Sequence, residues 1–210
     1  VNVEGVRNIL DAIDPQKTHF IQISTDYVFS GSEDDPGPYT EDHPTETDPN
    51  KLTWYGYTKA EAERLVLERL ESKATILRII YPVRKEYEKK LDYLRKSLKQ
   101  YKEGNLPPLF TDQQISITFI DEACKALAKI ISQKHKGIFH AGSSNTTTPY
   151  ELITFFIEKV SGERPQLTAR KMGELAGRYP KSGGLSVEKT ENVLEMRFSS
   201  SWQTVDKIIV

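Results

Sequence analysis

Ser24-Thr25-Asp26-Tyr27-Val28-Phe29 and, further along, Tyr55-Gly56-Tyr57-Thr58-Lys59 decide how this chain is read. The first string continues Phe20-Ile21-Gln22-Ile23, an apolar run that predicts a short strand buried at least in part. Two hydroxyls therefore stand where a strand ends. The second string opens a predicted helix from about Trp54 to Glu71, with Ala60, Ala62, Leu65, Val66 and Leu70 available for one face. Positions i and i+4 share a helical face, so the Tyr55 phenol and the Lys59 ammonium stand side by side.

The spacing alone is weak. With 10 tyrosines in 210 residues, about one Tyr-x-x-x-Lys is expected by accident. A second does occur, Tyr81 to Lys85, but it contains Pro82 and follows a strand end, so it reads as a decoy.

Outward from this core, strands and helices alternate. Val3, Val6, Ile9, Leu10 and Ile13 fall at helical spacing until Asp14-Pro15. Residues 30–53, rich in Gly, Pro, Asp, Glu and Thr, read as a loop. Ala74 to Ile80 is a strand ended by Tyr81-Pro82. A charged helix between Val83 and Leu109 carries a narrow stripe of Tyr87, Leu91, Leu94, Leu98 and Tyr101, with Gly104 as its stop. Another helix spans about Asp121 to Gln133, followed by the strand Gly137 to Ala141. Thr148-Pro149-Tyr150-Glu151 has the letters of a capping box, for a helix ending near Gly162. Ser200-Ser201-Trp202-Gln203 starts the last helix by the same logic. Such alternation predicts an α/β fold with parallel pairing.

The formal net charge of -1, from 29 basic and 30 acidic residues, gives no electrostatic reason for a nucleic acid or anionic membrane partner. No apolar run approaches the roughly 20 residues that span a bilayer. The single cysteine, Cys124, cannot form an internal disulfide and sits in a helical pattern that predicts a packing role. This usage points to a reducing cytoplasm. His19, His43, His135 and His140 make no metal-ligand spacing, so no metal is expected. Arg78 inside an apolar strand must reach a carboxylate or phosphate.

Together the two opening strings resemble the active site of an extended short-chain dehydrogenase/reductase, and more closely the sugar-nucleotide reductases of the dTDP-4-dehydrorhamnose reductase type. Pro38-Tyr39-Thr40-Glu41-Asp42 and Asp112-Gln113 ahead of Ser116-Ile117-Thr118 are similar to that family too. Its Gly and Pro are replaced by Ile115 and Ile117. The related 4,6-dehydratases place Asp-Glu after the threonine, where this chain has Asp26-Tyr27, which argues against dehydration.

The resemblance implies a Rossmann-like parallel sheet, the C-terminal half of an extended short-chain dehydrogenase, with a small C-terminal substrate lobe. Residues 1–82 would be a partial nucleotide-binding domain and 83–210 the substrate lobe, with 120–142 returning a helix and strand to the sheet. It implies reduction of a 4-keto nucleotide sugar with NADPH or NADH. Thr25, Tyr55 and Lys59 would be catalytic, and Ser24, Tyr55, Lys59, Tyr81 and Pro82 would hold the cofactor. Thr25, Asp26, Tyr27, Val28 and Phe29 would meet substrate; Arg178, Tyr179 and Ser182 fall where relatives have a substrate-side loop.

The chemistry suits those residues. Hydride addition to a ketone leaves an alkoxide that needs a proton. A lysine cation would lower a tyrosine pKa from near 10, and a hydroxyl can hydrogen-bond the developing charge. The family's glycine-rich phosphate turn is absent from the sequence, so the resemblance implies that the first half of the sheet is missing. The strand at 20–23 would then be a raw edge, so that either a second copy of the chain covers it or the fragment has rearranged. A nucleotide-sugar epimerase of the same superfamily, or a non-catalytic regulatory subunit or inactive fragment, are the alternatives.

Overall fold

A computed structural model describes residues 1–85, 90–173 and 179–209; the expectations placed on Tyr87 and Arg178 lie outside them. Three parallel strands form the main sheet: β1 (Gln22–Thr25), β2 (Thr75–Ile79) and β6 (Gly137–Ala141), in the order β1-β2-β6. The register pairs Ser24 with Arg78 and Arg78 with His140. β1 is therefore an edge strand of this sheet.

Helices cover both faces. Helices α1 (Glu4–Ala12) and α2 (Trp54–Leu70) bury Val6, Leu10, Ala62 and Val66 against Ile76 of β2. On the other face, α4 (Ile120–Ser132) and α6 (Glu188–Leu194) pack Ala126, Ile130 and Leu194 with Leu77 and Phe139. A side chain in β2 thus faces one helical layer or the other by strict alternation.

Two short parallel pairs lead away from the sheet: β3 (Pro82–Val83) with β5 (Thr118–Phe119), and β4 (Leu109–Phe110) with β7 (Ala169–Arg170). Around them, α3 (Tyr93–Lys102), α5 (Pro149–Ser161) and α7 (Ser201–Ile209) enclose a second core that includes Leu94, Ile117, Ile153, Ile157 and Val205. Ile115 and Ile117, where the family has Gly and Pro, are buried in this core. α5 begins with the capping box read in the sequence: Thr148 Oγ1 accepts the Glu151 N–H at 3.2 Å and Glu151 accepts the Thr148 N–H at 3.0 Å. It ends on left-handed Gly162.

Two expectations change. The charged helix begins at Tyr93 rather than near Val83, because Pro82–Val83 joins β5 as a strand and Asp92 caps the helix. Tyr81 to Lys85 therefore crosses a strand, and its two side chains share no helical face. Cys124 is exposed rather than packed; α4 buries Ala123, Ala126 and Ile130, a stripe that leaves position 124 outside.

Arg78, 1 % exposed, finds a carboxylate. Its Nη2 lies 2.7 Å from Glu63 Oε2, its Nε donates to Oε1 at 3.0 Å, and its guanidinium lies over the Phe29 ring at 4.8 Å. Nδ1 of buried His140 lies 2.9 Å from the Ser186 carbonyl, which can only accept, so Nδ1 carries the proton. Nε2, 3.2 Å from Arg78 Nη1, then accepts. Burial and the neighbouring guanidinium push His140 down to about 3. Arg78 is engaged inside the sheet rather than by a ligand.

Candidate active site

Thr25 ends β1, and its hydroxyl caps the 3-10 turn Asp26–Val28 by accepting the Tyr27 N–H at 3.3 Å. That turn meets the start of α2, where Thr53 Oγ1 accepts the Gly56 N–H at 3.0 Å. Gly56 is required there: a Cβ at this position would stand 2.1 Å from the Tyr27 carbonyl oxygen. The missing side chain lets α2 press against the turn and brings Tyr55 to Thr25.

The Tyr55 phenol is half-exposed and lies edge-on to the Tyr27 ring, with centroids 5.9 Å apart. Burial raises its pKa, and the Thr25 side chain pulls the other way. The carboxylate of Asp26 adds to the rise. The sequence led us to expect a fall caused by Lys59. Lys59 instead sends its ammonium to the Ile23 carbonyl oxygen, 2.5 Å away. Burial lowers the Lys59 pKa, opposed by Glu63.

Asp26 is 4 % exposed and accepts the Thr25 hydroxyl at Oδ1, 3.1 Å away. Burial pushes its carboxyl up to about 7. Ser24, 2 % exposed on the same strand end, has a hydroxyl with no hydrogen-bond partner among the described residues. A buried polar atom without a partner is costly.

Val28 and Phe29 point into the core beside Ala60 and Ile80, and Phe29 stacks on Tyr39 at 4.0 Å. Tyr81, at φ 38°, holds a left-handed conformation unusual for a bulky residue. Its ring packs on Tyr93 at 4.9 Å, and burial raises its pKa strongly, as it does that of Tyr27. Pro82 is exposed.

Two cavities flank this group. One, of about 290 Å³, is lined by Tyr27, Tyr81, Tyr93, Lys96, Gln100, Gln113 and Tyr179, among others. The other, of about 180 Å³, lies among Ser30, Ser32, Asn50 and Thr53, with Tyr27 and Tyr179 shared between the two. Tyr93, Lys96 and Gln100 were not read as site residues in the sequence. Their only signal was a polar face on a charged helix, which most surface helices show. Among the described residues no group of three or more His, Cys, Asp or Glu is placed to hold a metal. Nor is any described helix long and apolar enough to cross a membrane.

A three-stranded parallel sheet between two helical layers, with hydroxyl, phenol and ammonium groups at its edge strand, defines a Rossmann-type α/β protein. A family model of the RmlD substrate binding domain matches residues 1–209, and the chain belongs to that family. The chain is 26% identical over 198 residues to the probable low-salt glycan biosynthesis reductase Agl14 of Haloferax volcanii, a match covering 92% of this chain and 64% of that protein. It is 45% identical over 78 residues to the dTDP-4-dehydrorhamnose reductase of Streptomyces griseus, covering 37% of this chain and 24% of that one. The chain thus spans less than two thirds of the length of these curated relatives. The crystal structure of the Bacillus anthracis dTDP-4-dehydrorhamnose reductase in complex with NADP superposes with a TM-score of 0.80 at 21% identity, over 99% of this chain and 71% of that one.

Proposed function

We propose that the protein reduces a 4-keto nucleotide sugar with NADPH or NADH. The placing of the Tyr55 phenol at the start of α2 near the Thr25 hydroxyl that ends β1, close enough for Thr25 to lower its pKa, carries this reading. The nicotinamide cofactor supplies the hydride when bound. Tyr55, a phenol that is protonated at neutral pH, gives its proton to the oxygen of the reduced carbonyl. Thr25 hydrogen-bonds the same oxygen, and Lys59 provides positive charge on the Tyr55 face of α2.

The partnerless Ser24 hydroxyl supports a cofactor seat at this strand end, with Tyr55, Lys59 and the Tyr81-Pro82 turn as its other members. The larger cavity suits a nucleotide: Tyr27, Tyr81 and Tyr93 offer rings for a base, and the Lys96 ammonium offers charge for a diphosphate. Asp26 and Tyr27 form the wall nearest the reacting carbon. In this reading residues 1–82 hold the cofactor and 83–210 the substrate.

Incubation with dTDP-4-dehydrorhamnose and reduced nicotinamide tests this. Net loss of nicotinamide absorbance in the native protein, abolished in Tyr55→Phe, is the expected result. Equal turnover in Tyr55→Phe removes the assignment, and an epimerised sugar formed with a deuterium label retained on the nicotinamide and no net oxidation replaces reduction by epimerisation.

A further inference from the structure

A threonine hydroxyl has one proton and two lone pairs. One lone pair of Thr25 accepts the Tyr27 N–H, and the proton goes to Asp26 Oδ1. While that arrangement holds, Thr25 faces Tyr55 and any substrate oxygen only as an acceptor. A developing oxyanion needs the opposite, a donor.

We infer that Asp26 is a positioning residue that acts through Thr25: with its carboxyl protonated, the Thr25 hydroxyl is free to donate to the substrate oxygen, and with it ionised that single proton is held away. In the protonated state Asp26 O–H donates to the second lone pair of Thr25. The Thr25 proton then swings toward Tyr55 and the substrate. No bond other than hydrogen bonds changes; the proton that Asp26 gains or loses is exchanged with water. This rests on the reductase reading for its activity but not for its geometry.

The surroundings favour a carboxyl that changes state near neutrality. Asp26 is enclosed, and its charge raises the pKa of the phenols around it: Tyr27 beside it, Tyr55 on α2, Tyr81 between β2 and β3, and Tyr39 from the loop. The segment after Pro180 closes over it, with Gly183 placed so that an added Cβ would lie 3.8 Å from Asp26 Oδ2. Among the described residues no cation offsets that burial, and the ionised form is held chiefly by Thr25 and the backbone N–H groups of Asp26 and Tyr27. Burial therefore wins, and the midpoint lies at about 7.

Two measurements test the switch. With NADPH and dTDP-4-dehydrorhamnose, native turnover falls about tenfold per pH unit above neutrality, whereas Asp26→Asn, a neutral donor in the same place, holds one rate from about pH 6 to about pH 9. An alkaline fall that persists in Asp26→Asn overturns the inference. Independently of activity, difference infrared spectroscopy follows the protonated-carboxyl stretch that Asp26→Asn removes. It titrates near neutrality in the native protein and at higher pH in Thr25→Val, which takes away a donor to the ionised form. A carboxyl titrating in the ordinary carboxylate range, or one that Thr25→Val leaves unmoved, overturns the inference even if the sugar is reduced. A carboxyl that behaves as expected in a protein without reductase turnover supports the switch and removes the reductase reading instead.

Discussion

The Lys59 ammonium donates a 2.5 Å hydrogen bond to the carbonyl oxygen of Ile23 on the edge strand β1. The same oxygen accepts Nε2 of Gln22 at 2.8 Å, so it keeps a partner when the lysine is removed. Lys59→Met should therefore shift unfolding by no more than about 1 kcal/mol. Turnover should fall about 100-fold, because in the proposed reading Lys59 also seats the cofactor. Denaturant midpoints and steady-state rates on one preparation decide this. A large drop in midpoint with unchanged turnover would make Lys59 a structural tie alone.

Tyr55 is half-exposed, and its hydroxyl supports no part of the core. Tyr55→Phe is expected to leave stability within about 0.5 kcal/mol of the native protein. Reductive turnover should drop about 100- to 10,000-fold, the span for loss of a general acid. A loss below tenfold would point to water as the proton source.

The placing of Tyr55 on a helix and of Thr25 at a strand end was legible because each depends on local pattern. The direction of Lys59 was not, since Ile23 lies 36 residues away in sequence and offers a carbonyl that no side-chain pattern announces. Glu41 lay in a family-like string, yet its carboxylate accepts both the N–H of Thr190 at 2.9 Å and its hydroxyl at 2.6 Å, 149 positions on. It anchors α6 to the loop rather than meeting a ligand. Tyr93, Lys96 and Gln100 become cavity walls only when α3 docks beside the Tyr81 turn, which helical periodicity does not encode. Capping at Thr148 was fully legible, because the box closes within four residues.

Cys124 provides a direct check on the α4 stripe. Its thiol is exposed, so it should react with a thiol reagent in the folded protein about as fast as a free cysteine. Cys124→Ser should then leave the unfolding midpoint unchanged. Protection of the thiol until unfolding would mean that α4 is turned differently on the sheet, or that another chain covers it.

The Arg78–Glu63 pair is the buried tie between β2 and α2, with both side chains 1 % exposed. Removing one partner leaves a charge without its counter-ion in the core. Glu63→Leu alone should cost about 3–5 kcal/mol, and Arg78→Met with Glu63→Leu less than either single change. Denaturant unfolding of the three variants tests this. If the double variant loses the sum of the two single losses, the charges are not coupled as their geometry demands.

His140 makes the fold sensitive to acid. Its folded pKa is depressed to about 3, below the ordinary 6.5, by burial and by Arg78. Between those values the unfolded chain binds a proton that the folded chain refuses, so stability rises with pH and is lost as pH falls from 6.5 toward 3. This one residue contributes a slope of about 1.4 kcal/mol per pH unit at most. His140→Asn keeps a donor for the Ser186 carbonyl but cannot be protonated. It should start from lower stability at neutral pH, because the packing and the acceptor for Arg78 are disturbed. Its stability should then fall less steeply than that of the native protein between about pH 6 and about pH 4. Urea unfolding at four or five pH values measures both slopes. Equal slopes would show that the histidine is already charged in the folded state, and the hydrogen bond drawn from Arg78 to Nε2 would have to be abandoned.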